Sequence, residues 1–185
     1  DGVPVLGVNV GQLGYLTTVE PADARPALKR YLAGAFVTEE RMRIGSRVVR
    51  ADGSSSDGGT ALNEVLLERA ELGHTVRIDV ALDGEPFTPY VADGVIVATP
   101  TGSTAYAFSA RGPIVDPGHR SQVLVPVAPH MLFDRALVLA PDMQVRLTVS
   151  GARPAHLSVD GLPLGTLDPG DAVVCAAAPV PARLV

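Results

Sequence analysis

The residues best suited to chemistry lie in one run, Asp93-Gly94-Val95-Ile96-Val97-Ala98-Thr99-Pro100-Thr101-Gly102-Ser103-Thr104-Ala105-Tyr106. An acid and a glycine open it, and an apolar, β-branched stretch follows. Thr99, Thr101, Ser103 and Thr104 then place four hydroxyls within six residues. A buried strand that delivers such a loop to a helix start leaves backbone N–H groups unpaired and pointing outward, which suits a phosphate or a sugar hydroxyl. A helix over residues 105–110 needs one cap, from Ser103 or Thr104, so the hydroxyls exceed the structural need. Asp93 can accept hydrogen bonds from a ribose or an amide, or it can simply cap a turn at a strand end. Asn63-Glu64 interrupts an apolar strand over residues 61–68, where polar groups need partners. An amide beside a carboxylate suits a base edge or ribose hydroxyls; the alternative is the solvent face of an edge strand.

Other chemistries find little support. His74, His119, His130 and His156 are scattered, with no pair at metal-ligand spacing, and Cys175 stands alone. There is no Gly-x-Ser-x-Gly elbow. Asp57-Gly58-Gly59-Thr60 has the letters of a phosphate loop but sits between two strands, and reads as a hairpin loop. The formal net charge of −5 gives no global case for nucleic acid or an anionic membrane. Lys29 is the only lysine, which excludes a lysine-based Walker loop. A single cysteine excludes an intrachain disulfide and fits a reducing compartment, hence a cytoplasmic location. No apolar run is long enough to span a membrane as a helix, and no basic-then-apolar leader stands at the start. With no Trp, four Tyr and four Phe, a stacking platform for single strands would be thin.

The elements that must position these residues fall into two textures. Residues 3–9 read as a buried parallel strand, which calls for a partner strand upstream of Asp1. A glycine-punctuated turn follows at Gly11-Gln12-Leu13-Gly14-Tyr15-Leu16. Residues 24–34 read as a helix, with Ala27, Leu28, Tyr31 and Leu32 on one face and Gly34 as the terminating glycine. After Gly34 the pattern becomes β-rich. Strands are predicted over 36–50, 61–68, 75–82, 86–91, the apolar run after Asp93-Gly94, 122–128, 136–139, 144–149, 156–159, 172–176 and 182–185. Asp83-Gly84 is a hairpin signal, and 52–59 is a loop of turn formers. Short strands at regular spacing predict a sandwich-like domain.

Four separated segments, in order, resemble the NAD kinase family. Gly7-Val8-Asn9-Val10-Gly11-Gln12-Leu13-Gly14-Tyr15-Leu16 is similar to its Gly-Val-Asn-x-Gly-x-Leu-Gly-Phe-Leu segment. Ala61-Leu62-Asn63-Glu64-Val65 resembles its Asn-Glu motif. Asp93 through Tyr106, with Ser109 and Gly112-Pro113-Ile114-Val115, resembles its most recognisable block. Pro126-Val127-Ala128-Pro129-His130 and Arg135-Ala136-Leu137-Val138-Leu139 resemble the segment that follows. The resemblance implies a kinase that phosphorylates the 2′-hydroxyl of the adenosine ribose of NAD to give NADP. ATP or polyphosphate would be the donor, and a divalent metal, Mg2+, would be bound with the nucleotide. It implies that Asn63, Glu64, Asp93, Thr101, Thr104, Ala105, Tyr106 and Ser109 bind the dinucleotide, with Asp93 toward its nicotinamide end. Tyr15 and Leu16 would lie beside it, and His74 falls where the family often has a basic contact. The implied fold is the end of an N-terminal α/β domain (residues 1–34), a mainly β dinucleotide-binding domain (35–172) and a C-terminal strand (173–185) returning to the first domain. Homodimers or homotetramers with shared sites are also implied.

Three positions depart from the family pattern: Arg111 where a second glycine is usual, Leu162 where many members have glutamine, and Val91 where some have a basic residue. The family's Gly-Gly-Asp-Gly-Thr motif, which carries the proposed general base, does not occur among these residues. It is expected upstream of Asp1, so the chain alone is expected to bind without phosphorylating. The alternatives are a non-catalytic dinucleotide-binding module and, less well matched by the Asn-Glu and Asp93 motifs, a lipid kinase of the diacylglycerol kinase group.

Overall fold

The computed structural model describes residues 2–11 and 16–185. In chain order the strands are β1 (Glu39–Arg41), β2 (Ile44–Val49), β3 (Ser55–Ala61), β4 (Glu64–Arg69), β5 (Val76–Leu82), β6 (Glu85–Ala92), β7 (Gly94–Ala98), β8 (Gln122–Val127), β9 (Leu137–Leu139), β10 (Val145–Val149), β11 (Ala155–Val159), β12 (Leu162–Leu167), β13 (Ala172–Ala177) and β14 (Ala182–Leu184). The helices are α1 (Ala24–Leu32) and α2 (Tyr106–Ser109), each led in by a short 3-10 turn. Two compact units result, Asp1–Arg41 with Val180–Val185, and Met42–Pro179. These divisions lie later than residues 34 and 172. Strand β1 pairs with β14 inside the smaller unit, while β13 is hydrogen-bonded on both sides inside the larger one.

In the smaller unit, Pro21 opens the turn into α1, where its missing N–H costs nothing. The helix ends before Gly34, whose φ of 70° is the left-handed conformation of a helix terminator. The Tyr31 hydroxyl donates to the Pro4 carbonyl at 2.7 Å, and its ring stacks on Phe36. The strand predicted over residues 3–9 is reduced to two isolated parallel bridges, Val5 with Leu184 and Val8 with Val19. Val3 and Val5 are exposed, while Leu6 and Val8 are half-buried.

The larger unit is a β-sandwich of two antiparallel six-stranded sheets, ordered β3-β2-β13-β10-β5-β6 and β12-β11-β4-β7-β8-β9. Period-2 alternation aims Val65, Leu67, Val95, Val97, Leu124 and Leu157 of the second sheet inward. They meet Ile44, Ile78, Val80, Leu147 and Val173 of the first. Each such side chain contributes about 1.5–3 kcal/mol by leaving water. The outer face of the second sheet is covered as well: Ala107 of α2 packs on Leu66, Ile96, Ala98, Val123 and Val125. Burial on both faces explains why β7 reads as an unbroken apolar run.

Several local expectations are corrected. Asp57-Gly58-Gly59-Thr60 is not a hairpin loop but part of β3, bulged against β2, with Gly59 at φ 83° supplying the irregularity. The strand predicted over 61–68 is split: Ala61 ends β3, Leu62-Asn63 bends, and β4 starts at Glu64. The helix predicted over 105–110 is a single turn. Strand β12 was not anticipated. It is an exposed edge strand carrying Pro163 and Gly165, residues that argue against a strand unless it lies at an edge. Asp83-Gly84 and Asp160-Gly161 both take paired positive φ angles, which makes each a tight hairpin turn of the twist-matched kind.

Candidate functional site

The register of the second sheet assembles the site. Strand β4 pairs with β7 so that Glu64 opposes Ala98 and Glu68 opposes Gly94, and with β11 so that Val65 opposes Val159. Glu64, Leu66 and Glu68 therefore share the outer face, the one that carries α2.

The bend at Asn63 is fixed from three sides. The Asp160 carboxylate accepts the backbone N–H groups of Leu62, Asn63 and Glu64 at 2.7, 2.7 and 3.0 Å. The Asn63 carbonyl accepts the Thr99 N–H at 2.8 Å. The Thr99 hydroxyl donates to the Leu62 carbonyl at 2.5 Å and accepts the Gly102 N–H at 3.0 Å. Gly102 presses so closely on this bend that a Cβ there would lie 2.0 Å from the Asn63 carbonyl oxygen. Only glycine permits that approach.

The hydroxyl loop is used differently from the expectation of a capped helix presenting hydroxyls to a ligand. Neither Ser103 nor Thr104 caps α2, whose preceding residue is Ala105. Ser103 is fully buried; its hydroxyl donates to the Pro100 carbonyl at 2.6 Å and accepts the Val115 N–H at 3.0 Å. The Thr104 hydroxyl donates to the Thr101 carbonyl at 3.2 Å. With the Thr99 bonds, three of the four hydroxyls build the loop itself. Thr101 is buried, Ala105 is half-buried, and Ser109 is exposed on α2.

Glu64 is half-buried, and its Oε2 atom has neither solvent contact nor a hydrogen-bond partner among the described residues. Burial pushes its carboxyl up to about 7, the negative Asp160 adds to the rise, and the Tyr106 backbone N–H opposes it. The Tyr106 phenol is raised by burial, then by Glu68 and Asp93, with Arg69 opposing, so it stays a protonated donor. Asp93 pairs with Arg69 at 3.0 Å. The Arg69 guanidinium also donates to the His74 carbonyl at 3.4 Å, which ties the exposed His74 loop to this corner through its backbone. Arg69, Glu68 and Asp160 were missed as site residues in the sequence. An Arg, Glu or Asp near a strand end carries no signal by itself. Leu16 belongs to the smaller unit, where it lines a cavity of about 400 Å3 with Thr17, Thr18 and Val37. Tyr15 lies outside the described residues.

The gathered groups are thus Asn63 and Glu64, whose backbone the Asp160 carboxylate holds, and Glu68, Asp93 and Arg69, which with Glu64 bear on the Tyr106 phenol. That set is rich in acceptors. It favours ligand groups that donate, such as ribose hydroxyls, an exocyclic amine or a carboxamide, and it is a poor seat for a bare phosphate. Among the described residues, no group of three or more His, Cys, Asp or Glu side chains is arranged to hold a metal ion.

Comparison with known proteins gives these chemical features a family. The family model for the ATP-NAD kinase C-terminal domain matches residues 62–185, and that for the ATP-NAD kinase N-terminal domain matches residues 1–36. The NAD kinase of Heliobacterium modesticaldum is 44% identical over 185 residues, covering 100% of this chain and 65% of that protein. The NAD kinase of Bordetella avium is 43% identical over 189 residues, covering 100% of this chain and 62% of that protein. The chain therefore spans less than two thirds of the length of these relatives. Among solved structures, a yeast NADH kinase complexed with NADH superposes with a TM-score of 0.92 at 32% identity, over 98% of this chain and 54% of that one. An NAD kinase from Archaeoglobus fulgidus in complex with ATP gives 0.81 at 27% identity, over 98% of this chain and 68% of that one. With a family model covering residues 62–185 and the Asn63-Glu64 and Asp93–Tyr106 motifs brought to one face of a β-sandwich, the chain belongs to the ATP-NAD kinase family.

Proposed function

We propose that this chain carries the acceptor-dinucleotide site of an NAD kinase, the enzyme that transfers a phosphoryl group to the 2′-hydroxyl of the adenosine ribose of NAD. The observation that carries this reading is the acceptor-rich face, where Glu64 Oε2 is buried without a partner among the described residues and Glu64, Glu68 and Asp93 all bear on the Tyr106 phenol. Ribose hydroxyls and amide N–H groups satisfy such a surface, and Tyr106 offers both a ring face and a donor. Asn63 and Glu64 hold ribose hydroxyls, and Asp93, steadied by Arg69, reads the nicotinamide end. The loop of Thr101, Thr104 and Ala105, with Ser109, shapes the wall. Tyr15, Leu16 and His74 are assigned as further dinucleotide contacts on the family pattern alone.

Phosphoryl transfer consists mostly of positioning plus charge stabilisation. The chain's own residues bind and orient the acceptor ribose. The base and the donor-phosphate loop are assigned to the family's Gly-Gly-Asp-Gly-Thr motif, which these residues do not contain. ATP or polyphosphate is the donor. A divalent ion, Mg2+, travels with the donor phosphates and would neutralise their charge. Because the described residues offer it no ligand cluster, no step is assigned to it here. Assembly as a homodimer or homotetramer in the cytoplasm completes the proposal.

The test is calorimetric titration of NAD into the wild-type chain and into Asp93→Asn and Tyr106→Ala, with circular dichroism as the folding control. Each substitution is expected to weaken binding about tenfold or more, the loss of one charge-assisted hydrogen bond or one stacked ring, with an unchanged spectrum. Wild-type affinity in both variants refutes the site. Formation of NADP by the 185-residue chain alone shows that the base has been misplaced.

A further inference from the structure

On the family pattern quoted above the β11–β12 hairpin contributes only the departure at Leu162, yet its turn residue Asp160 accepts three N–H groups of the site's backbone. We propose that Asp160 is a positioning residue that holds the Asn63-Glu64 bend by its backbone and makes the Glu64 carboxyl a proton-linked receptor for a ribose hydroxyl, so that dinucleotide binding tightens as Glu64 ionises. The inference rests on the acceptor-site reading above and adds to it a residue and a pH dependence.

The geometry comes first. One carboxylate accepts three consecutive N–H groups at 2.7–3.0 Å, and the Asp160 N–H donates back to the Glu64 carbonyl at 3.0 Å. The two segments are therefore clasped in both directions, and the clasp lies at the residues that turn the chain from β3 into β4. An acid at φ 49° followed by glycine is what the tight hairpin requires, so the carboxylate is delivered to the same spot by the turn itself.

The charge follows from the geometry. From the β11–β12 turn, Glu64 faces the negative Asp160. From α2 it faces the Tyr106 N–H and its phenol. On its own strand the next residue of the same face but one is Glu68, and the Asp93–Arg69 pair bears on the same Tyr106 phenol. Its neighbours on β7 and the following loop, Ala98, Thr99 and Thr101, are uncharged. Burial and Asp160 both oppose ionisation, so the carboxyl titrates near neutrality. An ionised Oε2 is a better acceptor for a hydroxyl than a protonated one.

The experiment is titration of NAD between pH 6 and pH 8 into the wild-type chain, Asp160→Asn and Glu64→Gln. With a midpoint near 7, wild-type affinity should rise about tenfold across that range. Asparagine suits the left-handed turn and keeps an acceptor oxygen, so Asp160→Asn should fold. Removing the charge should lower the Glu64 midpoint by roughly one unit and compress the pH effect to about twofold. Glu64→Gln should flatten it, and this second variant keeps the test decisive if Asp160→Asn fails to fold. A tenfold rise retained in Asp160→Asn or in Glu64→Gln overturns the proposal while leaving the binding site standing. A wild-type chain that binds no NAD at any pH overturns the site itself.

Discussion

Gly102→Ala is the sharpest single test of how the site is built. The added Cβ would sit 2.0 Å from the Asn63 carbonyl oxygen, 2.4 Å from its carbonyl carbon and 2.6 Å from its Cα. All three are backbone atoms, so no side chain can rotate away, and real Cβ atoms essentially never approach within 3.0 Å. The Asn63 bend must therefore withdraw by about 1 Å, the difference between 2.0 and 3.0 Å. That bend is the acceptor end of the 2.8 Å bond from the Thr99 N–H and lies beside the Thr99-to-Leu62 bond. Breaking the first leaves a buried N–H unpaired, at about 1–3 kcal/mol, and forcing atoms into a packed site adds about 1–3 kcal/mol. A loss of about 2–6 kcal/mol is expected from these two terms together. Urea unfolding followed by circular dichroism measures it. Gly45→Ala is the control: its Cβ would meet nothing nearer than 3.9 Å, in the same sandwich, and should change stability by less than about 1 kcal/mol. In the folded fraction at low urea, Gly102→Ala should also lose NAD affinity, because the displaced residue is Asn63. A Gly102→Ala chain as stable as the Gly45→Ala control would show that the loop does not rest on Asn63, and the three-sided account of the bend would fail.

Two further outcomes follow from the packing. Arg111 holds a φ of 68° just past the end of α2, with its side chain exposed. Arg111→Gly relieves that backbone and should raise stability by about 0.5–1 kcal/mol, which a shift of the urea midpoint with unchanged m-value would register; a loss of stability would mean that the guanidinium makes a contact worth more than the strain. Asp171 is buried and accepts the Arg50 guanidinium at 2.7 Å and the N–H groups of Ala51 and Asp168 at 2.9 and 3.0 Å. Burial raises its carboxyl, but the bonds from Arg50, Ala51 and Asp168 together hold it below its ordinary 3.8. A carboxyl lowered on folding stabilises the native state above its unfolded value, and that contribution disappears as pH falls through the folded one. Wild type should accordingly lose stability below about pH 4 more steeply than Asp171→Ala, which should already be weaker by about 2–4 kcal/mol at pH 7; parallel pH profiles for the two would contradict this.

The strands were legible because their signals are local. Val76, Ile78 and Val80 alternate with Arg77 and Asp79, and β5 is where that pattern places it. Asp83-Gly84 dictates a hairpin by its φ angles alone. Strand β12 was illegible for a matching reason: an edge strand buries almost nothing, so Leu162-Pro163-Leu164-Gly165 has no alternation to read. The site was half legible. Asn63, Glu64, Asp93 and Tyr106 stood out as residue types in unlikely places or through a family motif. Asp160 lies 96 residues from Glu64, and Arg69 meets Asp93 only because β4 and β7 are neighbours. No property of Asp160-Gly161 as a dipeptide says whose N–H groups its carboxylate will take.

The hydroxyl loop shows why a motif's chemistry can be read with the wrong sign. Thr99-Pro100-Thr101-Gly102-Ser103-Thr104 looks like a cradle for phosphate, because small hydroxyl residues before a helix are how many proteins bind anions. Here the helix is one turn long and its field is correspondingly weak. Thr99, Ser103 and Thr104 spend their hydroxyls on Leu62, Pro100, Val115 and Thr101. What the loop presents to the outside is the wall beside Glu64, Glu68 and Asp93, three carboxylates against one Arg69. A doubly charged phosphate brought within about 4 Å would meet repulsion of about 2 kcal/mol per neighbouring unit charge even at the dielectric of water, and several-fold more at the protein surface. A ribose or an amide meets only acceptors. The loop's polarity is therefore structural, and under the proposed function the recognition belongs to the acidic residues that it and the Asp160 turn hold in place.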